Sequence, residues 1–187
     1  TESSVDPICT IENLNGDVLT GDDDGGEGLN CTVAMPMEPG TVYYLKIRHY
    51  NSQWGTGAYT VGWERLEDDD HGDDAETATV IETLPYEQAA RFDWGLDFDY
   101  YSLTAPATGQ LTVMTESEID PMCRIMSDDE VVAENDDIDT QAENYNCRMD
   151  LDVEQGQELM IVVAPFHNPP RRPLGTAGPY TLIVRQQ

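Results

Sequence analysis

Basic residues are scarce in this 187-residue chain: 9 stand against 37 acidic ones, the net charge is −28, and Lys46 is the only lysine. Nucleic acid is therefore a poor partner, because binding it relies on Lys and Arg neutralising phosphates. Anionic membrane surfaces are disfavoured for the same reason, and no apolar run approaches the roughly 18 residues that a bilayer span requires. A secretory signal pattern and an initiating Met are both missing, which reads as a processed chain or a fragment. There is no HExxH, GxSxG, P-loop or GxGxxG pattern. The three histidines, His49, His71 and His167, have no Cys or Ser nucleophile motif beside them. With 37 acids, chance carboxylate pairs are expected, so none is singled out and the chain reads as a non-enzyme. There is no CxxC spacing and no His near a cysteine to support a zinc site.

What the chain does contain is a repeat of itself. Thr1–Ile11 reads TESSVDPICTI and Thr115–Ile125 reads TESEIDPMCRI, identical at 7 of 11 positions. Downstream, Val18 answers Val132, Asp22-Asp23 answers Asp136-Asp137, Cys31 answers Cys147, Gly40 answers Gly156, and Tyr59-Thr60 answers Tyr180-Thr181. Two copies of one domain are expected, the first without its front. The four cysteines fall as one pair per copy, so equivalent positions select Cys9–Cys31 and Cys123–Cys147 as disulfides. That pairing implies an oxidising, extracellular or cell-surface setting.

Short strands are expected throughout. Thr41–Arg48 alternates with period two, and Glu158–Val163 is its more apolar counterpart. Ala58–Trp63 and Pro179–Val184 match as final strands. Ahead of the second TES segment, Ala78–Thr83, Glu87–Phe92, Tyr100–Thr104 and Leu111–Thr115 read as four more. Strands at this spacing predict antiparallel β-sandwiches. The expected division is a half domain at 1–65, an acidic linker at 66–74 and a complete domain at 75–187.

The segment Asp97–Thr115, DFDYYSLTAPATGQLTVMT, resembles the bacterial pre-peptidase C-terminal domain family. There an Asp-x-Asp-x-Tyr segment leads into a Thr-Ala-Pro strand end and a Gly turn. Asp69-Asp70-His71-Gly72-Asp73, Asp120-Pro121, Asn135-Asp136-Asp137 and Gly178–Leu182 continue the series in order. The resemblance spans Asp69–Val184, with the back half again at Thr1–Trp63. It implies an all-β chain of two tandem antiparallel jelly-roll-like sandwiches, the first lacking its N-terminal strands, secreted and appended to extracellular proteases and other exported proteins. The paired cysteines lie outside the family's general pattern.

Related collagen-binding domains of bacterial collagenases hold calcium. Carried over, their ligands correspond to Asp68, Asp70, Asp73, Asp97 and Asp99, although Gly72 stands where a side-chain ligand would help. Second candidates are Asp22, Asp23 and Asp24, and Asp136, Asp137 and Asp139; for these loops Asx-type turns are the alternative. Calcium takes six to eight oxygen ligands, which such clusters supply.

Tyr43, Tyr59, Tyr100, Tyr180 and Phe92 read as core. Trp54, Phe166 and His167 read as an exposed patch for a protein or carbohydrate ligand. Asn30-Cys31-Thr32 is a glycosylation sequon by pattern alone.

The functional expectation is a secreted, non-enzymatic binding or assembly module, such as a subunit of an extracellular fibre. The alternative is an accessory domain pair of a secreted protease, aiding secretion or substrate attachment. A sandwich built from Thr1–Trp63 alone exposes strand edges and half a core. Strands of a longer chain, independent folding of the half domain, or strand addition by a neighbouring copy each answer this. The expectation here is the last, as a head-to-tail polymer.

Overall fold

The structure, a computed structural model, describes residues 1–51, 55–65, 69–166 and 177–187. It is all-β, with no helix among these residues, and divides into two units, Thr1–Glu67 and Asp68–Gln187. Both predicted disulfides are formed. No helix of the described residues is long and apolar enough to cross a membrane.

The first unit contains β1 (Glu2–Ser3), β2 (Pro7–Glu12), β3 (Val18–Asp22), β4 (Tyr44–His49) and β5 (Tyr59–Thr60). The second contains β6 (Thr79–Val80), β7 (Tyr86–Phe92), β8 (Asp99–Thr104), β9 (Gly109–Glu116), β10 (Pro121–Ser127), β11 (Glu130–Asn135), β12 (Arg148–Val153), β13 (Glu158–Pro165) and β14 (Gly178–Gln186).

In the second unit two sheets face each other. One has the order β11-β10-β13-β8-β6 and the other β12-β9-β14-β7; pairing is antiparallel except for β6 with β8. The alternation that sequence reading uses is visible in β8, where Asp99, Tyr101 and Leu103 are buried and their neighbours are not. Ile125, Ile161 and Val163 of one sheet meet Leu111, Val113, Leu182 and Val184 of the other in a single apolar core. Cys123 on β10 bonds Cys147, just before β12, so the disulfide ties the two sheets together.

The first unit repeats part of this arrangement strand for strand. Its sheet β3-β2-β4 matches β11-β10-β13. Cys9 faces Ile47 and Ile11 faces Leu45, as Cys123 faces Val163 and Ile125 faces Ile161. The small pair β1–β5 sets Glu2 against Thr60, as Glu116 is set against Thr181. Gly40 and Gly156 both turn with positive φ, 82° and 84°, ahead of β4 and β13.

Both copies have a bulge, between Ile11 and Glu12 and between Ile125 and Met126. Across it Glu12 faces Val18 and Met126 faces Val131, while Cys9 faces Asp22 and Cys123 faces Asn135. The structural counterparts of Val18 and Asp22 are therefore Val131 and Asn135, one residue earlier than the sequence echo suggests. Edge pairing, not residue identity, sets the register there.

Candidate metal centre

The acidic stretch at the start of the second unit is laced by hydrogen bonds from backbone amides at the end of β7, in the loop before β8 and in β8 itself. The Arg91 amide donates to Asp70 Oδ2 (3.1 Å), the Phe98 amide to Asp73 Oδ1 (3.1 Å) and the Tyr100 amide to the Gly72 carbonyl (3.0 Å). Gly72 is required by space: a Cβ there would collide with Thr77 Oγ1 and would lie 2.6 Å from the Thr77 carbonyl. His71 turns its ring onto Tyr101, centroids 4.6 Å apart, and bonds Thr79 through Nδ1. Burial lowers the His71 pKa below its ordinary value, partly countered by Asp70.

Opposite this stretch, the sequence FDWGLDFD makes a tight loop. The Asp93 amide donates to Asp97 Oδ2 (2.5 Å), and Arg91 Nε donates to Asp93 Oδ1 (2.6 Å). Carboxylate oxygens of Asp69, Asp73 and Asp97 lie within 4.8 Å of one another, and those of Asp69, Asp70 and Asp93 form a second such group. Asp97 and Asp99 are both 0% exposed. Asp93 Oδ2, Asp97 Oδ1 and Asp99 Oδ1 are buried with no hydrogen-bond partner. Buried polar atoms of this kind are normally satisfied, and a buried unpaired charge is costly. Burial, reinforced by the neighbouring aspartates, pushes Asp97 up to about 8 and Asp99 up to about 9. Burial also raises Asp69. An all-oxygen donor set at the hydrogen-bonding limit of its loop can hold a hard divalent cation, which would neutralise the clustered charge and occupy the free oxygens.

The structure brings together Asp70, Asp73 and Asp97 of the expected ligand set, and joins them with Asp69 and Asp93. Asp99 belongs to neither group and accepts from the Tyr180 hydroxyl (2.5 Å). Asp68 lies outside the described residues. Asp69 was hidden between two other acids, and Asp93 carried only its spacing of four from Asp97.

The second candidates are arranged as turns. Asp22 Oδ2 accepts from the amides of Gly25 and Thr32, both at 2.8 Å, which closes the loop that contains Asp23 and Asp24. Asp139 Oδ1 accepts from Gln141 and Ala142, and the Asp137 carbonyl accepts from Asn135 Nδ2, with Asp136 between. None of these residues enters a metal-type group among the described residues. The Asn30 amide nitrogen donates to the Glu27 carbonyl (2.7 Å), and its oxygen accepts from Ser3 (3.0 Å), so this side chain shapes its loop.

Of the surface patch, Trp54 and His167 lie outside the described residues. Phe166 is half-buried, its amide bonded to the Asp120 carbonyl. Phe92 and Tyr180 are core and stack at 4.6 Å. Tyr59, expected in the core, is exposed, and Trp63 is 91% exposed. The reason is structural: among the described residues β5 pairs with β1 alone, whereas β14 lies between β9 and β7.

No family model matches the chain, and no curated protein matches it. Among solved structures it is similar to the pre-peptidase C-terminal domain of a collagenase from Bacillus anthracis, at 17% identity over 61% of this chain and 100% of that one, with a TM-score of 0.45. It is also similar to PliG, a periplasmic inhibitor of g-type lysozyme, from Aeromonas hydrophila (18% identity, 59% of this chain and 96% of that one, TM-score 0.43). The Salmonella Typhimurium PliG is similar at 13% identity, covering 59% of this chain and 98% of that one, with a TM-score of 0.41. At these identities and TM-scores the similarities carry no argument about residues, ligands or activity.

Proposed function

We propose that this chain is an exported, non-enzymatic binding and assembly module. Calcium holds the acidic start of its second unit against the loop at Asp93–Asp97, and its first unit accepts strands from another molecule. One observation carries the reading. Leu45 and Ile161 hold the same register position in their copies, yet Leu45 is 48% exposed and Ile161 is 0% exposed. Elsewhere in the first unit Val42, Tyr44, Tyr59, Val61 and Trp63 are also exposed. Apolar surface on this scale along an open strand is the signature of a binding face. Calcium is preferred over magnesium because five aspartates converge here, which suits the larger ion with its greater number of oxygen ligands. Export follows from the two disulfides.

Hydrogen exchange tests the acceptor. In the purified chain with millimolar calcium, the Tyr44–His49 amides not bonded to β2 should exchange fast, while the matching amides of Glu158–Pro165 stay protected. Equal protection of the two strands would mean a closed first unit and would refute the reading.

A further inference from the structure

The aspartates of the candidate metal centre fall into two overlapping groups, and the chain equips the two differently. Asp69 belongs to both. It stands with Asp73 and Asp97 in one group and with Asp70 and Asp93 in the other. A hard cation takes a set of open oxygens, so what already sits on each group decides what it can hold.

The group of Asp69, Asp73 and Asp97 meets backbone donors. The His71 amide donates to Asp69 Oδ1 (3.2 Å), the Phe98 amide to Asp73 Oδ1 (3.1 Å) and the Asp93 amide to Asp97 Oδ2 (2.5 Å). Among the described residues no Lys, Arg or His side chain pairs with these three carboxylates. Asp97 is 0% exposed and its Oδ1 has no hydrogen-bond partner. Buried charge without a counter-charge is costly, and a divalent ion removes that cost.

The group of Asp69, Asp70 and Asp93 already contains a cation. Arg91 Nε lies 2.6 Å from Asp93 Oδ1, on a carboxylate side chain that is only 5% exposed. The Arg91 amide donates to Asp70 Oδ2 at 3.1 Å. One residue therefore engages two of the three carboxylates, one through its guanidinium and one through its backbone. Such a charge-assisted bond is short and strong. Asp93 Oδ2 still has no hydrogen-bond partner. The guanidinium thus meets the charge of Asp93 without filling its bonding capacity, and the oxygens there still suit an ion. A calcium ion on this group would sit about 2.3–2.6 Å from its oxygens, against a like charge already at hydrogen-bond distance.

We infer that Arg91 is a built-in second cation. It takes the place of one ion in a centre with oxygens for two, and confines calcium to the group of Asp69, Asp73 and Asp97. Asp69, common to both groups, joins the ion's position to that of the guanidinium. Arg91 sets the stoichiometry of the centre and is not itself a ligand. This inference rests on the calcium reading above.

The test counts ions by equilibrium dialysis of the full chain against radioactive calcium, on variants shown to be folded by near-UV circular dichroism. The wild type should bind one. Arg91→Gln removes the charge and keeps the backbone bond to Asp70, and should bind two. Arg91→Lys keeps a charge there and should bind one, which separates loss of charge from loss of the side chain. Asp97→Asn breaks the open group while Arg91 still guards the other, and should bind none; adding Arg91→Gln to it should restore one. Two ions on the wild type or on Arg91→Lys, one on Arg91→Gln, one on Asp97→Asn or none on the double variant overturns the inference and leaves the calcium reading standing. The wild-type and Asp97→Asn counts decide the matter even where Arg91→Gln does not fold. No ion on the wild type overturns the calcium reading, and this inference with it.

Discussion

Tyr180 reaches across the second sandwich, from β14 in one sheet to β8 in the other, and donates its hydroxyl to Asp99 Oδ2 at 2.5 Å. The same hydroxyl bonds that of Tyr101 at 2.7 Å. Among the described residues Asp99 has no other hydrogen-bond partner for its side chain. Tyr180→Phe should therefore leave a fully buried carboxyl with none, at a cost of about 1–3 kcal/mol. Tyr101→Phe should cost less, because the Tyr180–Asp99 bond remains. Urea unfolding of both variants checks the order, and equal losses would contradict it.

Stability without metal should fall as pH rises. Asp97 and Asp99 titrate at about 8 and about 9 in the fold, against 3.8 for the ordinary side chain. Between those values the folded state keeps protons that the unfolded chain has released. The slope of unfolding free energy with pH is therefore negative from about pH 4 to about pH 9. Urea midpoints in chelator at pH 5, 7 and 9 should decline in that order, and Asp99→Asn should flatten the decline. A rise across this window would contradict the assignment.

Calcium should stabilise the second unit by mass action. At a hundredfold excess over Kd the gain is about 2.7 kcal/mol, or about 10 °C in Tm. Asp97→Asn should abolish that shift, and Asp139→Asn should leave it intact, because Asp139 caps a turn. Scanning calorimetry with chelator and with calcium measures both; a Tm indifferent to calcium would remove the metal from the account.

Gly72→Ala should weaken calcium binding and cost about 1–3 kcal/mol, since the added methyl forces Thr77 and the acidic stretch apart. Gly62→Ala is the control, with nothing within 4 Å of its Cβ position. Isothermal titration with calcium compares the two; equal affinities would place Gly72 outside the site's support.

Much of the fold was legible along the chain, because the signals are one-dimensional. Identity between Thr1–Ile11 and Thr115–Ile125 announces the repeat, and the repeat pairs the cysteines. Period-two alternation marks β4 and β8, since a pleated strand turns successive side chains to opposite faces. Strand β12 and the bulge after Ile11 were not visible, because both depend on what lies alongside. The same holds for the ligand set. In Asp68–Asp70 and Asp73 the residue type is nearly constant, and which carboxylates converge depends on where the Arg91, Phe98 and Tyr100 amides hold the backbone.

Burial divides the two kinds of information most sharply. Leu45 and Ile161 are both apolar, both inward by alternation, and both opposite an isoleucine two residues after a cysteine. Nothing in their local sequence distinguishes them. Only the tertiary structure separates them, because burial is decided by the sheet on the far side and the strand on the free edge, and β6–β9 supply those to one copy alone.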